Sequence, residues 1–474
     1  MPWRDSPMTL EQDQLDTQAL LDRLREQHQV PGAALGVLQL GETADQDVIT
    51  SHASGVLNLD TLVAVRPDSI FQIGSISKTF TTTMIMQLAE RQQLDLDRPV
   101  IELLPELRLG DENATRTVTL RHLLSHSSGI DGDVFTDYGR GDDAVSRYVE
   151  GLAEVPQLFT PGTMFSYCNA GFVLAGRLIE VVTGTSWDQA LHDQLLQPLG
   201  LRQTATLPEE AIFGTAAVGH AGQPGEPRTV IKRWQLPRSI GPAGLINSTV
   251  ADVLQYARMH LRGGSIGDTM IISPESAHRM RTEQIRQPVG QQRDGWQGLG
   301  WMVDHWDGHQ VFGHNGATVG QYAYLQAFPD QRVAICLLTN GPGAGMLWAR
   351  LRHALLASYG LDTPIGIDQP PADPYRLSDP VAAVGRYGRI SETYEVTRTD
   401  TGLRVDVRPT EDSPDPEDEP ESLELIPISQ DHFVARADPS LPWSTYSHGT
   451  FTREQNPAGG DYLYTGTRLT PRLS

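Results

Sequence analysis

Ser75 and Lys78 stand three residues apart in Gly74-Ser75-Ile76-Ser77-Lys78 and are the pair in this chain best suited to nucleophilic chemistry. At the start of a helix that spacing puts both side chains on one face. A serine hydroxyl is a weak nucleophile until a base takes its proton, and a desolvated neutral lysine does that. The helix N-terminus adds positive potential, which favours a neutral lysine and steadies an oxyanion nearby. Taken alone, Ser-x-x-Lys reads more often as an N-cap serine followed by a surface lysine. Composition shifts that balance: lysine occurs only at Lys78 and Lys232, so all the other basic residues are arginine. Arginine stays protonated, whereas lysine can lose its proton when desolvated, so a retained lysine raises the question of what chemistry needs it.

Two further groups follow in order. Tyr167-Cys168-Asn169 lies 92 residues after Ser75, and His314-Asn315-Gly316 lies 145 residues after Asn169, at the end of an expected strand. With these in place the chain resembles the serine β-lactamase and penicillin-binding-protein superfamily, specifically its class C-like branch. That branch contains class C β-lactamases, DD-peptidases, D-aminopeptidases and family VIII carboxylesterases, and carries Ser-x-x-Lys, Tyr-x-Asn and Lys/His-x-Gly in this order. The resemblance spans roughly residues 20 to 360 and includes the stretch from His122 to Gly129. It implies that Ser75 attacks a carbonyl with Lys78 as its base and that Tyr167, made acidic by Lys78 and His314, handles the leaving-group proton. Asn169 would orient Lys78 and hydrogen-bond the acyl portion, and His314 would complete the proton network. The oxyanion hole would be the backbone N–H groups of Ser75 and Ala317. Asn315, Gly316, Gly244 and Arg468 would border the substrate, with Arg468 or Arg472 reaching a substrate carboxylate from the C-terminal barrel; structural arginines at a barrel rim are the plainer reading. No metal or cofactor is implied.

His314-Asn315-Gly316 replaces the Lys-Thr-Gly of class C β-lactamases, which removes the ammonium and hydroxyl that hold a β-lactam carboxylate. Weak or absent β-lactamase activity is therefore expected. The leading expectation is a serine hydrolase that cleaves small esters or amide and peptide bonds of D-amino-acid character, with the ester slightly favoured. The alternatives are an acyl transferase or penicillin-binding-protein-type thioesterase that cyclises peptides, and a penicillin-binding receptor without turnover. No Gly-x-Ser-x-Gly elbow surrounds Ser75, which disfavours the α/β-hydrolase fold.

The elements that must position these residues are legible in outline. Residues 10–28 carry a helical apolar stripe, 33–40 and 48–57 read as a strand hairpin, and 75–91 as a helix. Runs at 310–314, 321–328 and 332–339 read as an antiparallel meander followed by a helix over 346–359. This predicts an α+β fold, an antiparallel sheet flanked by helices with a helical insertion. A serine-hydrolase domain over 1–366, a Pro-rich linker over 367–378 and an all-β small barrel over 379–474, similar to a lipocalin, complete the expected organisation. Its strands are expected at 394–399, 403–407, 423–428, 432–437 and 462–469, with the acid-rich run 411–421 as a solvated loop.

Length and composition bound the rest. The chain has 474 residues, and its 59 acids against 37 bases give a net charge of −22, which argues against nucleic acid or an anionic membrane as partner. Two cysteines, Cys168 and Cys336, exclude a disulfide framework and a four-Cys zinc site. No basic-then-apolar leader is visible at the start, so a soluble cytoplasmic protein acting on a small ester or peptide is expected, with its oligomeric state open. His122 and His126 lack the glutamate of a zinc motif and read as packed or capping residues. Asp131-Gly132-Asp133 opens like a calcium loop but lacks its later ligands and turn glycine. Cys168 reads as packed behind the site.

Overall fold

The computed structural model describes residues 15–222, 226–288, 295–363, 375–378, 383–400, 402–413, 419–436, 450–455 and 461–473. The first sheet is built from β1 (Gly32–Gln39), β2 (Val48–Gly55), β3 (Ile285–Arg286), β4 (Trp296–Gln297), β5 (Met302–Trp306), β6 (His309–Ala317), β7 (Tyr322–Phe328) and β8 (Val333–Thr339). All neighbours are antiparallel in the order β2-β1-β8-β7-β6-β5-β4-β3. β1 and β8 are apolar and buried along nearly their whole length, the pattern of strands covered on both faces.

Alternation along β1 sorts the two layers. Leu35 and Val37 face a cluster with Leu20, Leu21 and Leu24 of α1 (Thr17–Gln27) and Leu347 and Leu351 of the C-terminal helix Ala344–Ala357. Ala34 and Leu38 face the larger core, which holds α2 (Ser77–Glu90), α3 (Asn169–Thr183), α4 (Gly241–Gly244) and α5 (Val250–Leu261). Each fully buried leucine contributes roughly 1.5 to 3 kcal/mol. α5 lies hard against β1: a Cβ on Gly36 would sit 2.6 Å from Leu254 Cδ1. α2, α3 and α4 fall between β2 and β3 in sequence, so the chain leaves the sheet after β2, builds the helical layer and returns. The α+β expectation is met.

The second sheet is a meander of β9 (Gly385–Gly388), β10 (Glu392–Arg398), β11 (Leu403–Pro409), β12 (Glu421–Pro427), β13 (His432–Arg436), β14 (Thr450–Gln455), β15 (Asp461–Thr465) and β16 (Arg468–Pro471), each paired with the next. It has its own core, including Tyr387, Val396, Leu403, Val405, Phe433 and Leu463. The expected small barrel is corrected to this open meander. β9 and β16 span four residues each and make no ladder with each other; between their ends lie a bridge at Tyr387 and Arg472 and the Leu473 N–H donated to Arg386 O at 2.7 Å. The run over 462–469, expected as one strand, is a hairpin that turns at Gly466, whose φ of +64° is left-handed. β5, β9 and β14 were not expected at all. Of the linker 367–378 only Tyr375–Ser378 is described, and the acid-rich run is described outside 414–418.

The two sheets meet along the Leu158–Asn169 segment. Phe159, Met164, Phe165 and Tyr167 share a cluster with Tyr462, Tyr464 and Leu469. Tyr464 Oη donates to Phe165 O at 2.7 Å, Leu469 N to Ser166 Oγ at 3.1 Å, and Tyr167 N to Thr467 O at 2.9 Å. Among the described residues no helix is long and apolar enough to cross a membrane.

Candidate active site

Gly74–Ile76 forms a 3-10 turn that runs directly into α2. From Ile70 to Leu88 every residue is buried except Ser75, so the turn offers one hydroxyl to the exterior of an otherwise closed core. Lys78 is fully buried. Its Nζ lies 2.9 Å from Ser75 Oγ, 2.7 Å from Asn169 Oδ1 and 2.7 Å from Ala243 O, the last in α4. The two carbonyl oxygens can only accept, so they take both hydrogens of a neutral amine and leave its lone pair for the Ser75 hydroxyl. Burial holds the Lys78 ammonium well below its ordinary range, and the Arg468 guanidinium adds to this. Lys232, the other lysine, is an exposed partner of Asp60.

Asn169 opens α3, and its orientation is set from behind. Asn169 Nδ2 donates to Asp133 Oδ1 at 2.9 Å, which turns Oδ1 of the amide toward Lys78. Burial alone would raise the Asp133 carboxyl, but Arg468 and Arg389 hold it well below the usual carboxylate range. Arg389 Nη1 reaches Asp133 Oδ2 at 2.8 Å and Arg468 Nε reaches the same oxygen at 3.0 Å, so both cations come from the second sheet. Cys168 caps α3, its Sγ accepting from Gly171 N at 3.2 Å, and burial pushes its thiol up to about 11. It packs behind the site, as does His126, which stacks on Tyr167 with centroids 4.1 Å apart and accepts from Cys168 N at 2.9 Å.

Tyr167 requires a correction. Burial pushes its phenol up rather than down, with Ser75 and Arg468 offsetting only part. Burial takes His314 down to about 3, with the Lys78 charge adding to this, and burial also lowers Lys78, so neither stands beside the phenol as a ready cation. The cation at Tyr167 is Arg468, whose guanidinium lies 4.7 Å from the ring centroid. His314 Nδ1 bonds Asn315 O at 2.5 Å, its Nε2 has no partner among the described residues, and its ring is 6.0 Å from that of Tyr167.

The end of β6 is pressed against the Ser75 turn. A Cβ on Gly74 would sit 2.7 Å from Ala317 N, and one on Gly316 would sit 2.0 Å from Ile73 O and 3.1 Å from Ser75 N. Two glycines thus bring the backbone of Ala317 beside that of Ser75, the contact that an oxyanion hole from these two N–H groups needs. A cavity of about 350 Å³ opens onto Ser75, with Asn315, Gly316 and Ala317 on one side and Gly244, Ala243 and Ile240 on another. Arg468 and Thr467 of the second sheet close it, and Phe135, Leu236, Met302, Tyr322 and Tyr324 make its apolar wall.

The residues proposed from the sequence line one cavity, except Arg472 and Lys78, the latter buried beside Ser75. Sequence reasoning missed Asp133, Arg389 and the Ala243 carbonyl. Asp133 was visible only as half of a discarded calcium pattern, and nothing in the sequence pairs it with arginines more than 250 residues away. Among the described residues no group of three or more His, Cys, Asp or Glu is arranged to hold a metal ion.

Comparison with known proteins agrees with this geometry. A family model described as beta-lactamase matches residues 17–359. Penicillin-binding protein 4 of Amycolatopsis lactamdurans is 43% identical over 386 residues, covering 80% of this chain and 98% of that protein. The crystal structure of SurE superposes with a TM-score of 0.75 at 28% identity, covering 96% of this chain and 98% of that one. A D-stereospecific amidohydrolase from Streptomyces sp. superposes with a TM-score of 0.54 at 25% identity over 69% of this chain and 94% of its own. The chain belongs to the beta-lactamase family, a fold of serine hydrolases.

Proposed function

We propose that the protein is a serine hydrolase that works through an acyl-enzyme on Ser75 and cleaves amide, peptide or ester bonds of D-amino-acid character. The observation that carries this is the three-way bonding of Lys78 Nζ, in which two obligate acceptors leave the amine lone pair for Ser75 Oγ. In the proposed reaction Ser75 Oγ attacks the carbonyl carbon as its proton passes to Lys78, and the N–H groups of Ser75 and Ala317 receive the oxyanion. Tyr167, kept protonated by burial, gives its proton to the leaving group as the acyl-enzyme forms and recovers one from the Lys78 ammonium, with His314 completing the proton network. In deacylation the attacking water gives a proton to this network, which returns one to Ser75 Oγ as the acid leaves.

The D-character rests on two relatives, the D-stereospecific amidohydrolase and SurE, the latter also crystallised with D-Leu. The apolar wall of the cavity suits a hydrophobic side chain, and Asn315 supplies a polar contact at its mouth. Arg468 keeps N–H donors beyond those given to Asp133 and Thr467, and these suit a substrate carboxylate. A second cavity of about 480 Å³ shares Phe135 and Leu236 with the first and extends toward Arg140, Arg238 and Glu411, which favours a substrate longer than one residue. With histidine at position 314, β-lactams are poor substrates in this reading.

The test compares kcat/KM for p-nitrophenyl butyrate and for the D- and L-alanine p-nitroanilides, with Ser75→Ala as the blank. A D-over-L preference abolished by Ser75→Ala supports the reading. Turnover surviving in Ser75→Ala contradicts the nucleophile, and equal rates on both antipodes contradict the D-character. An added amine that diverts the product from free acid to amide moves the assignment from hydrolase to acyl transferase.

A further inference from the structure

Three observations outside the proposed chemistry converge on one residue. Asp133 is buried and carries the Asn169 amide that orients Lys78. Its loop is pressed directly onto the start of α3, since a Cβ on Gly132 would sit 2.4 Å from Cys168 Cα. Both of its cationic partners, Arg389 and Arg468, belong to the second sheet, and the adjacent Asp131 accepts from Ile390 N at 2.7 Å. Three hydrogen bonds from two arginines of the C-terminal region and one from Asn169 thus meet on a single carboxylate.

We propose that Asp133 is a positioning residue of the site and that, through Arg389 and Arg468, the C-terminal sheet is part of the catalytic machinery rather than an appended cover. The inference rests on the serine-hydrolase reading and extends it. An ionised carboxylate only accepts, so it forces the Asn169 amide to present nitrogen to Asp133 and oxygen to Lys78. Without that constraint the amide is free to flip, and an NH2 directed at Lys78 would remove one of the two acceptors that aim the lysine lone pair at Ser75. The two arginines compensate the buried charge, and Arg468 also lies over the Tyr167 ring.

This arrangement has an electrostatic signature that a purely structural role lacks. The charged groups acting on Lys78 are Arg468, which disfavours its ammonium, and Asp133, which favours it. The other titratable groups around it, Tyr167, Cys168, His126 and His314, are all kept neutral by burial. Removing Asp133 and removing Arg468 must therefore move Lys78 in opposite directions.

The experiment is kcat/KM and kcat against pH for the full chain and for Asp133→Asn, Arg468→Gln and Arg468→Lys, with Tm for each. Asp133→Asn is expected to shift the acid limb to lower pH and Arg468→Gln to higher pH, each by about one unit. Asp133→Asn should also lower kcat more than it raises KM. Arg468→Lys keeps the charge and should restore the wild-type limb. Limbs that stay in place, or move in the same direction in both variants, overturn the inference whatever activity is lost. If Asp133→Asn does not fold, the Arg468→Gln and Arg468→Lys pair carries the same test of sign. Activity that survives Ser75→Ala refutes the serine-hydrolase reading instead, so the two failures are distinguishable.

Discussion

Gly316→Ala isolates the contact between β6 and the nucleophile turn. The added Cβ would lie 2.0 Å from Ile73 O, 2.8 Å from Ile73 C and 3.1 Å from Ser75 N, all backbone atoms that cannot swing aside. Carbon and oxygen normally stay about 3.3 Å or more apart, so β6 must retreat by about 1 Å from the turn. Ala317 N retreats with it and leaves the position where an oxyanion bound to Ser75 would sit. Losing one such donor costs about 3 to 4 kcal/mol of transition-state stabilisation, or roughly 100- to 1,000-fold in kcat. Gly345→Ala, in the helix Ala344–Ala357, is the control, because its nearest neighbour is Tyr324 Oη at 3.7 Å, an ordinary contact. The assay is kcat/KM on the preferred chromogenic substrate, with Tm to separate misfolding from loss of chemistry. A folded Gly316→Ala enzyme within tenfold of wild type would refute the reasoning, because the backbone of Ala317 would then not be needed beside Ser75.

Other consequences follow from the buried titratable groups. Burial raises the Asp131 carboxyl to about 6, with the Ile390 N–H and Arg389 offsetting only part. Since this folded value lies above the unfolded one, its stabilising contribution is complete below about pH 4 and is lost as pH rises through about 6. Asp131→Asn, which cannot ionise, should therefore raise stability at pH 8 by on the order of 3 kcal/mol, read as a higher Tm, and leave Tm nearly unchanged at pH 4. A lower Tm at pH 8 contradicts this. Cys168 and Cys336 are buried, with both thiols pushed up, so iodoacetamide should neither label the native protein nor inhibit it. Labelling of Cys168 in step with loss of activity would place a thiol in the chemistry.

The sequence was most informative where one residue type had little freedom. Lys78 stood out because lysine is so scarce, and of the two lysines it is the fully buried one, while Lys232 is exposed. β1 and β8 were legible because strands buried on both faces leave long apolar runs, and β7 because its burial alternates along the strand. β5, with Asp304 and His305 in a five-residue run, and β9, four residues bounded by Gly385 and Gly388, carry no such period. The Tyr462–Leu469 run looked continuous because a single Gly466 marks its turn, and that turn leads into Arg468. The ion pairs of Asp133 were out of reach for a different reason. Sequence separation of 256 and 335 residues hides them, and a carboxylate beside a glycine looks the same whether it meets water or two guanidinium groups.

Chemical modification of Ser75 tests the central claim most directly. Wild type, Ser75→Ala and Lys78→Arg are treated with a fluorophosphonate and followed by intact mass and peptide mapping. The account predicts one adduct, on Ser75, absent in Ser75→Ala. It also predicts at least about 100-fold slower formation in Lys78→Arg, because an arginine stays protonated and so cannot act as the base. An adduct on another residue, or a Lys78→Arg protein that reacts within tenfold of wild type, would contradict it.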